Sequence, residues 1–446
     1  MRRFPCHLAL AKLLACTYGG PAGAAGFAVK EHSATALGNA FAGATAGAED
    51  LSYMFFNPAV PAWQSGNQLV GVASYIAPRA ELRDGAAATP RSVPIEGSNG
   101  GSDIARDFIV PAFYAMWEPD PDLKLALATN VPFGLETDYE AGWIGRYHAL
   151  DSRLESVNLN PVVAYRFHDR FAVGAGLQLQ YLEAELSNAV DFGSIGSANG
   201  IGFAVPTTQD GTSKLEGDSI GIGFTAGLLV EPLEGTRLGI AYRSHVRHDI
   251  DGDATFTLDN TGVGALLSAS SGAFIETGAT AEVTTPETLS FGLHQEIGPQ
   301  WALMGEIAWT GWSRFDELRI EFDNPAQADS VTEEDWRDSW LFAAGVTYRP
   351  VSTAALRFGV AYDQSPIPDR RRTPRIPPNN RTWIAAGATY QPFPYLEVGL
   401  SYSHILLDDG PVELLATDSG NAARGSLSGS YESSIDIVSL QAVLRF

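Results

Sequence analysis

The stretch FAVGAGLQLQY, residues 171–181, sets the strongest limit on what this chain can fold into. On a strand, Phe171, Val173, Ala175, Leu177, Leu179 and Tyr181 share one face, and Ala172, Gly174, Gly176, Gln178 and Gln180 share the other. The pattern recurs in LRFGVAYD (356–363), LEVGLSYS (396–403) and the closing Val438–Phe446 segment. A soluble sandwich also alternates, but its strands are usually shorter and its buried face bulkier. A second face of Gly, Ala, Ser, Gln and charge suits the inside of a wide barrel whose apolar face meets lipid. Beyond the first residues no apolar run reaches the length of a membrane helix, so strands must do the crossing. Closure is then required, because an open sheet edge in lipid leaves backbone groups unpaired.

Tight connections fall at 118–121, 168–170, 231–235, 298–300, 350–353 and 391–394, and long ones near 78–106, 131–154, 187–215, 251–285, 317–336, 364–380 and 406–433. This spacing predicts an all-β, transmembrane antiparallel barrel of about 14 strands, with short turns at one rim and long loops at the other. Tyr242, Trp309, Tyr348, Tyr390 and Tyr402 sit where strands end and read as interfacial girdles. The formal charge of -23 excludes a nucleic-acid partner, which needs a basic face.

The N-terminus reads differently. Arg2, Arg3, the LALAKLLA run and AGA before Ala25 form a signal peptide over 1–24; LLAC ending at Cys16 is the competing reading, a lipoprotein box. Cys6 and Cys16 are the chain's two cysteines, so the segment after residue 24 has neither a disulfide nor a thiol nucleophile. Residues 25–66 do not alternate and are rich in Gly and Ala; they are expected to plug the lumen of a barrel spanning 67–446, the rival being a loose periplasmic tail. Asn57-Pro58 supplies a turn there.

LGNAFAGATAGAEDLSYMFFNPA (37–59), NVPFGLETDYEAGWIGRYHA (130–149), WTGWSRFDEL (309–318), DQSPIPDRRRTPRIPPNNRTWIAAGATY (363–390) and terminal Phe446 resemble the FadL/TodX outer-membrane transporters of hydrophobic compounds. The resemblance implies a plugged 14-strand barrel in a Gram-negative outer membrane that takes up long-chain fatty acids or hydrocarbons passively. It further implies capture between outer loops, a lumen site, a hatch around Asn57, Pro58 and Ala59, and sideways release at a kink formed by Asn130, Val131, Pro132, Phe133 and Gly134. Terminal Phe446 would be the signal to the barrel assembly machinery. The residues support the kink independently: Pro132 cannot donate to a ladder and Gly134 packs nothing, although a plain strand end at Asn130 fits the same sequence.

The capture groove is expected from SIGSANGIGFAV and VGALLSASSGAFI, apolar stretches that could equally pack on each other. The resemblance places basic residues beyond strand five and before strand ten, where this chain has YLEAELSNA and SVTEEDWRDSW. By strand parity Arg243, Arg337 and Arg381 face the lumen and are the candidates to meet a ligand carboxylate, or else to pair with lumen acids. The run DRRRTPRIPPNNR (369–381) reads as an outer loop, free in solvent or paired with lipopolysaccharide phosphates. No Ser-His-Asp or paired-carboxylate arrangement supports an enzyme, and no cofactor or metal site is expected: DIDGDATF lacks the Gly and Glu of a calcium loop, and His245 and His248 point to opposite faces. A general porin, or an adhesin or phage receptor working through its loops, are the rival functions.

Overall fold

The computed structural model describes residues 26–446 apart from 102 and 378; the expected signal segment, with Cys6 and Cys16, lies outside them. Fourteen antiparallel strands close into a barrel. In chain order they are β1 (Gln68–Ala88), β2 (Phe108–Trp117), β3 (Leu123–Asn130, resuming at Gly134–Asp138), β4 (Asp151–His168), β5 (Phe171–Asp191), β6 (Asp210–Leu233) and β7 (Thr236–Arg243, then Val246–Thr257). There follow β8 (Thr277–Thr285, then Thr288–Ile297), β9 (Trp301–Thr310, then Glu317–Phe322), β10 (Ser330–Glu333, then Ser339–Val351), β11 (Ala354–Asp363), β12 (Arg381–Phe393), β13 (Leu396–Leu407, with an outer piece Gly410–Leu414) and β14 (Ser426–Arg445). Each strand pairs with its chain neighbour, and β14 returns to β1 from Arg445 opposite Gln68 to Ser426 opposite Ala88.

The alternation explains the wall. Leu127, Leu177, Ile222, Leu293, Leu303, Phe358, Leu400 and Leu440 are exposed on the outside and form the lipid-facing band, while their strand neighbours turn inward. At its upper margin aromatic donors meet carboxylates: Tyr75 with Asp107, Tyr181 with Glu183 (3.2 Å), Trp309 with Asp338 (3.2 Å) and Tyr402 with Asp436 (2.6 Å). A ring that is apolar at one end and hydrogen-bonded at the other belongs at a membrane–water boundary.

Strands run further outward than the sequence suggested. β1 continues to Ala88, β5 to Asp191, and β7 to Thr257, so the loops expected at 78–106, 187–215 and 251–285 are shorter. These extensions stand above the lipid and expose charge instead of leucine: Arg247, Asp249, Asp251 and Asp253 face out while His248, Ile250 and Ala254 are buried. The apolar loop stretches form helices α2 (Phe192–Ala198) and α3 (Val263–Ser271), which pack on each other through Phe192, Val263, Leu267 and Phe274. Phe203, Val205, Leu266 and Ile275 are left exposed beside them.

Residues 27–64 run inside the barrel. A one-turn helix, α1 (Ala34–Leu37), is capped by Ser33, whose Oγ accepts from the Ala36 N–H at 3.1 Å, and packs against β12, β13 and β14. The lumen-facing glycines have a specific reason here: a Cβ added at Gly174, Gly227, Gly239 or Gly359 would overlap Pro58 O, Asn57 Oδ1, Thr45 O or Asn39 O. The inner wall therefore carries glycine where the internal segment's backbone lies directly on it. Side-chain bonds complete the seat: Asn39 Nδ2 donates to Val346 O (3.0 Å) and Phe358 O (3.2 Å), and Glu49 pairs with Arg357 and Arg349.

Candidate functional site: two lumen cavities and a break in the wall

Two cavities lie in the lumen. The upper one, about 880 Å³ measured out to its mouth, is walled by Leu135, Leu154, Leu186, Leu215, Ile250, Val283, Ile320 and Ile376, with Phe27 at one side. The lower one, about 850 Å³, is bounded by Ala28, Val29, Lys30, Phe55, Pro132, Phe133, Arg243 and Glu306. Both have the mainly apolar lining of a small-molecule pocket.

An aromatic septum stands between them. Phe27 contacts Trp312 (ring centroids 4.8 Å apart), Phe133, Phe315 and Trp336 (5.8 Å each). Gly26 makes this possible, with φ +68° and space so tight that a Cβ would sit 2.6 Å from Trp336. Residues 26–30 are thus the shared wall of the two cavities.

The barrel ladder fails beside this septum. β2 and β3 pair from Trp117–Leu125 to Phe113–Thr129, and among the described residues Phe108–Ala112 have no further β3 partner. Val131, Pro132 and Phe133 interrupt β3 between Asn130, opposite Asn158, and Gly134, opposite Glu155. The free edge of β3 pairs inward: the Val29 N–H donates to Pro132 O and the Gly134 N–H to Phe27 O, both at 2.8 Å. Pro132 lacks the donor that would continue the ladder, which is why the break falls there. The internal segment fills the gap in the wall with its own backbone.

Asn57, Pro58 and Ala59 form a docking point. Asn57 Nδ2 donates to Thr45 O (2.8 Å) and Leu228 O (3.1 Å), its Oδ1 accepts from the Ala59 N–H (2.9 Å), and Pro58 rests over Gly174. The bond to Leu228 ties the internal segment to β6, and the Pro58 contact seats it on β5.

The three arginines chosen by parity separate. Arg243 borders the lower cavity, with Nη2 donating to Phe55 O (2.7 Å) and its guanidinium 4.5 Å above the Phe55 ring. Arg381 is fully buried on β12, opposite Asp363 on β11. Arg337 is exposed and does not face the lumen, a correction with a clear cause: residues 334–338 lie between the two pieces of β10, and parity does not count through a break.

The residue that parity missed is Arg375. The run 369–381 folds inward: Arg372 is completely buried, while Arg375 borders the upper cavity. Arg375 Nη1 donates to Asp151 O (3.0 Å) and Ser152 Oγ (2.8 Å), and Nη2 to Ser187 O (3.1 Å). Among the described residues no carboxylate lies within ion-pairing distance of it. Burial first, and then neighbouring Arg424, push its pKa down. Glu334 borders the same cavity and accepts from Trp336 Nε1 (2.7 Å); burial pushes its pKa up to about 8, so at neutral pH it is protonated and leaves Arg375 uncompensated. His148, beside Arg375 in a smaller polar hollow outside, is held down to about 3 by burial and the two arginines, and is neutral. An apolar chamber with one uncompensated guanidinium at its outer end suits an apolar chain bearing an anionic head.

Residues 15–446 match the family described as outer membrane protein transport protein (OMPP1/FadL/TodX). The chain is 29% identical over 395 residues to the long-chain fatty acid transport protein of Escherichia coli O6:H1, covering 85% of this chain and 87% of that one. It is 29% identical over 424 residues to outer membrane protein P1 of Haemophilus influenzae, with 89% of each chain covered. The crystal structure of a Pseudomonas aeruginosa FadL homologue superposes with a TM-score of 0.86 at 24% identity, covering 95% of this chain and all of that one. That of the Pseudomonas putida toluene transporter TodX gives 0.66 at 16%, covering 94% and 99%. The two lumen chambers, the broken ladder and the match along nearly the whole length converge: the chain belongs to the OMPP1/FadL/TodX family of outer-membrane transport proteins, and its barrel sits in the outer membrane.

Proposed function

We propose that this barrel passively carries hydrophobic small molecules, long-chain fatty acids foremost, from the upper cavity past Phe27 into the lower one and out sideways through the break at Val131–Phe133. The observation that carries this reading is that the wall's own ladder is absent there and is replaced by two hydrogen bonds to a segment that also divides the cavities. Shifting residues 26–30 joins the cavities and uncovers the gap in one movement. Asn57, Pro58 and Ala59 hold the rest of the segment in place as the hatch's anchor. The relatives described as fatty acid transport proteins and the Arg375 site favour a carboxylate; the superposition on toluene transporters supports neutral hydrocarbons as further cargo.

The test is uptake of labelled oleate and toluene by cells lacking their own transporter. With residues 131–134 replaced by a regular strand sequence, uptake should fall to the level of cells without the barrel. Undiminished uptake from a correctly inserted variant would refute sideways release.

A pH dependence follows from Glu334. Its pKa is raised from the carboxylate range to about 8 in the fold, so it is neutral below that pH and becomes an anion above it. Oleate affinity should therefore weaken as pH rises through 8, when Glu334 competes for Arg375, and Glu334→Gln should flatten the profile between pH 7 and 9. Titration of purified protein with a fluorescent fatty acid measures both.

A further inference from the structure

The wall is broken a second time, well away from Pro132. β8 and β9 pair fully from Ile297–Trp301 to Thr288–Thr310, then meet again only at Ala279–Phe322 to Ala281–Ile320. Between these patches Pro286 interrupts β8, and β9 leaves the ladder as a turn, Trp312–Arg314, that carries Trp312 and Phe315 into the lumen against Phe27. Two contacts hold the turn to β8: the Gly311 N–H donates to Glu287 O (2.9 Å), and the Arg314 guanidinium grips both carboxylate oxygens of Glu287, Nη2 at 2.8 Å.

Outside this break lies a hollow of about 1030 Å³, also measured to its open mouth. It backs directly on the upper cavity, since Ile250, Thr280, Ala281 and Phe315 line both. Trp309, at the membrane boundary with Asp338, lies just below, which sets the mouth at headgroup level. The mouth is acidic. Six carboxylates line it against two guanidiniums, Arg314 held by Glu287 and Arg319 paired with Glu317 and Asp329. Asp251, Asp316 and Glu321 have no ion pair among the described residues, and Asp249 and Glu282 share Arg247.

We propose that this break is a side port through which neutral hydrophobic molecules reach the upper cavity, latched by Glu287–Arg314. The inference rests on the transport reading above and adds a second way in. An acid-lined mouth repels a fatty-acid anion and leaves a neutral hydrocarbon unaffected. The two cargo classes would then arrive by different doors, carboxylates past Arg375 and neutral molecules between β8 and β9.

The segment after residue 24 has no cysteine, so Asp316→Cys places a single thiol in the mouth of the mature barrel. Capping it with a bulky disulfide-forming reagent should lower toluene uptake several-fold, leave oleate uptake unchanged, and be reversed by reductant. Glu287→Gln, which releases Arg314, should raise toluene uptake. Toluene uptake that ignores the cap, or falls only in step with oleate, overturns the port while the uncapped protein still transports. Failure of the uncapped protein to take up either compound overturns the transport reading and the port together.

Discussion

Replacing Gly359 by leucine is expected to turn a barrel that passes little current into a steady conductor in planar bilayers. A Cβ at this position overlaps Asn39 O and crowds the Ala40 nitrogen, both backbone atoms that no rotamer change can move. β11 cannot yield, because Gly359 sits mid-strand between Gly345 and Ala385. The internal segment must lift instead, losing the Asn39 bonds to Val346 and Phe358 and straining the Glu49–Arg357 pair. Overpacking costs about 1–3 kcal/mol and sometimes more, and the lost Asn39 bonds and the strained ion pair add to that cost. The outward face is unchanged, so insertion should persist. Leucine at Gly305, where a Cβ meets nothing closer than Ala343 O at 3.9 Å, is the control and should leave the current at its wild-type level.

The second large effect is expected at Arg375. Arg375→Gln should weaken oleate binding about 10- to 100-fold, the loss of one charge-assisted hydrogen bond worth roughly 1.5–3 kcal/mol. Toluene, which offers no acceptor, should bind as before. That contrast separates headgroup recognition from the bonds Arg375 makes to Asp151, Ser152 and Ser187, whose loss would disturb both ligands alike. Equal weakening of both would assign Arg375 a structural task only.

Much of this architecture could be read in the sequence because its physics is local. Period-two alternation fixes which residues meet lipid, short polar turns fix the count, and Pro132 fixes where β3 must fail. The lumen glycines were visible too, but their meaning was not: Gly174 and Gly359 read as the inner face of a wide barrel, whereas they are the bed of the internal segment. Arg375 was hidden for a related reason. Charge density marks 369–381 as a solvent loop, and only the return of that loop over the barrel mouth buries Arg372 against Pro411 and sets Arg375 on the ends of β4 and β5. The interruptions of β7, β8, β9 and β10 reset parity inside each of those strands, which misplaced Arg337 and concealed the second break.

The most direct test of sideways release is to fasten the internal segment to the gap. Ala28 and Phe133 face each other in an antiparallel bridge, the spacing a disulfide can span, and no other cysteine is expected in the mature chain. In the double variant Ala28→Cys, Phe133→Cys, oleate uptake should stop under oxidising conditions and return on reduction. Uptake that continues with the disulfide formed would show that cargo leaves by another route.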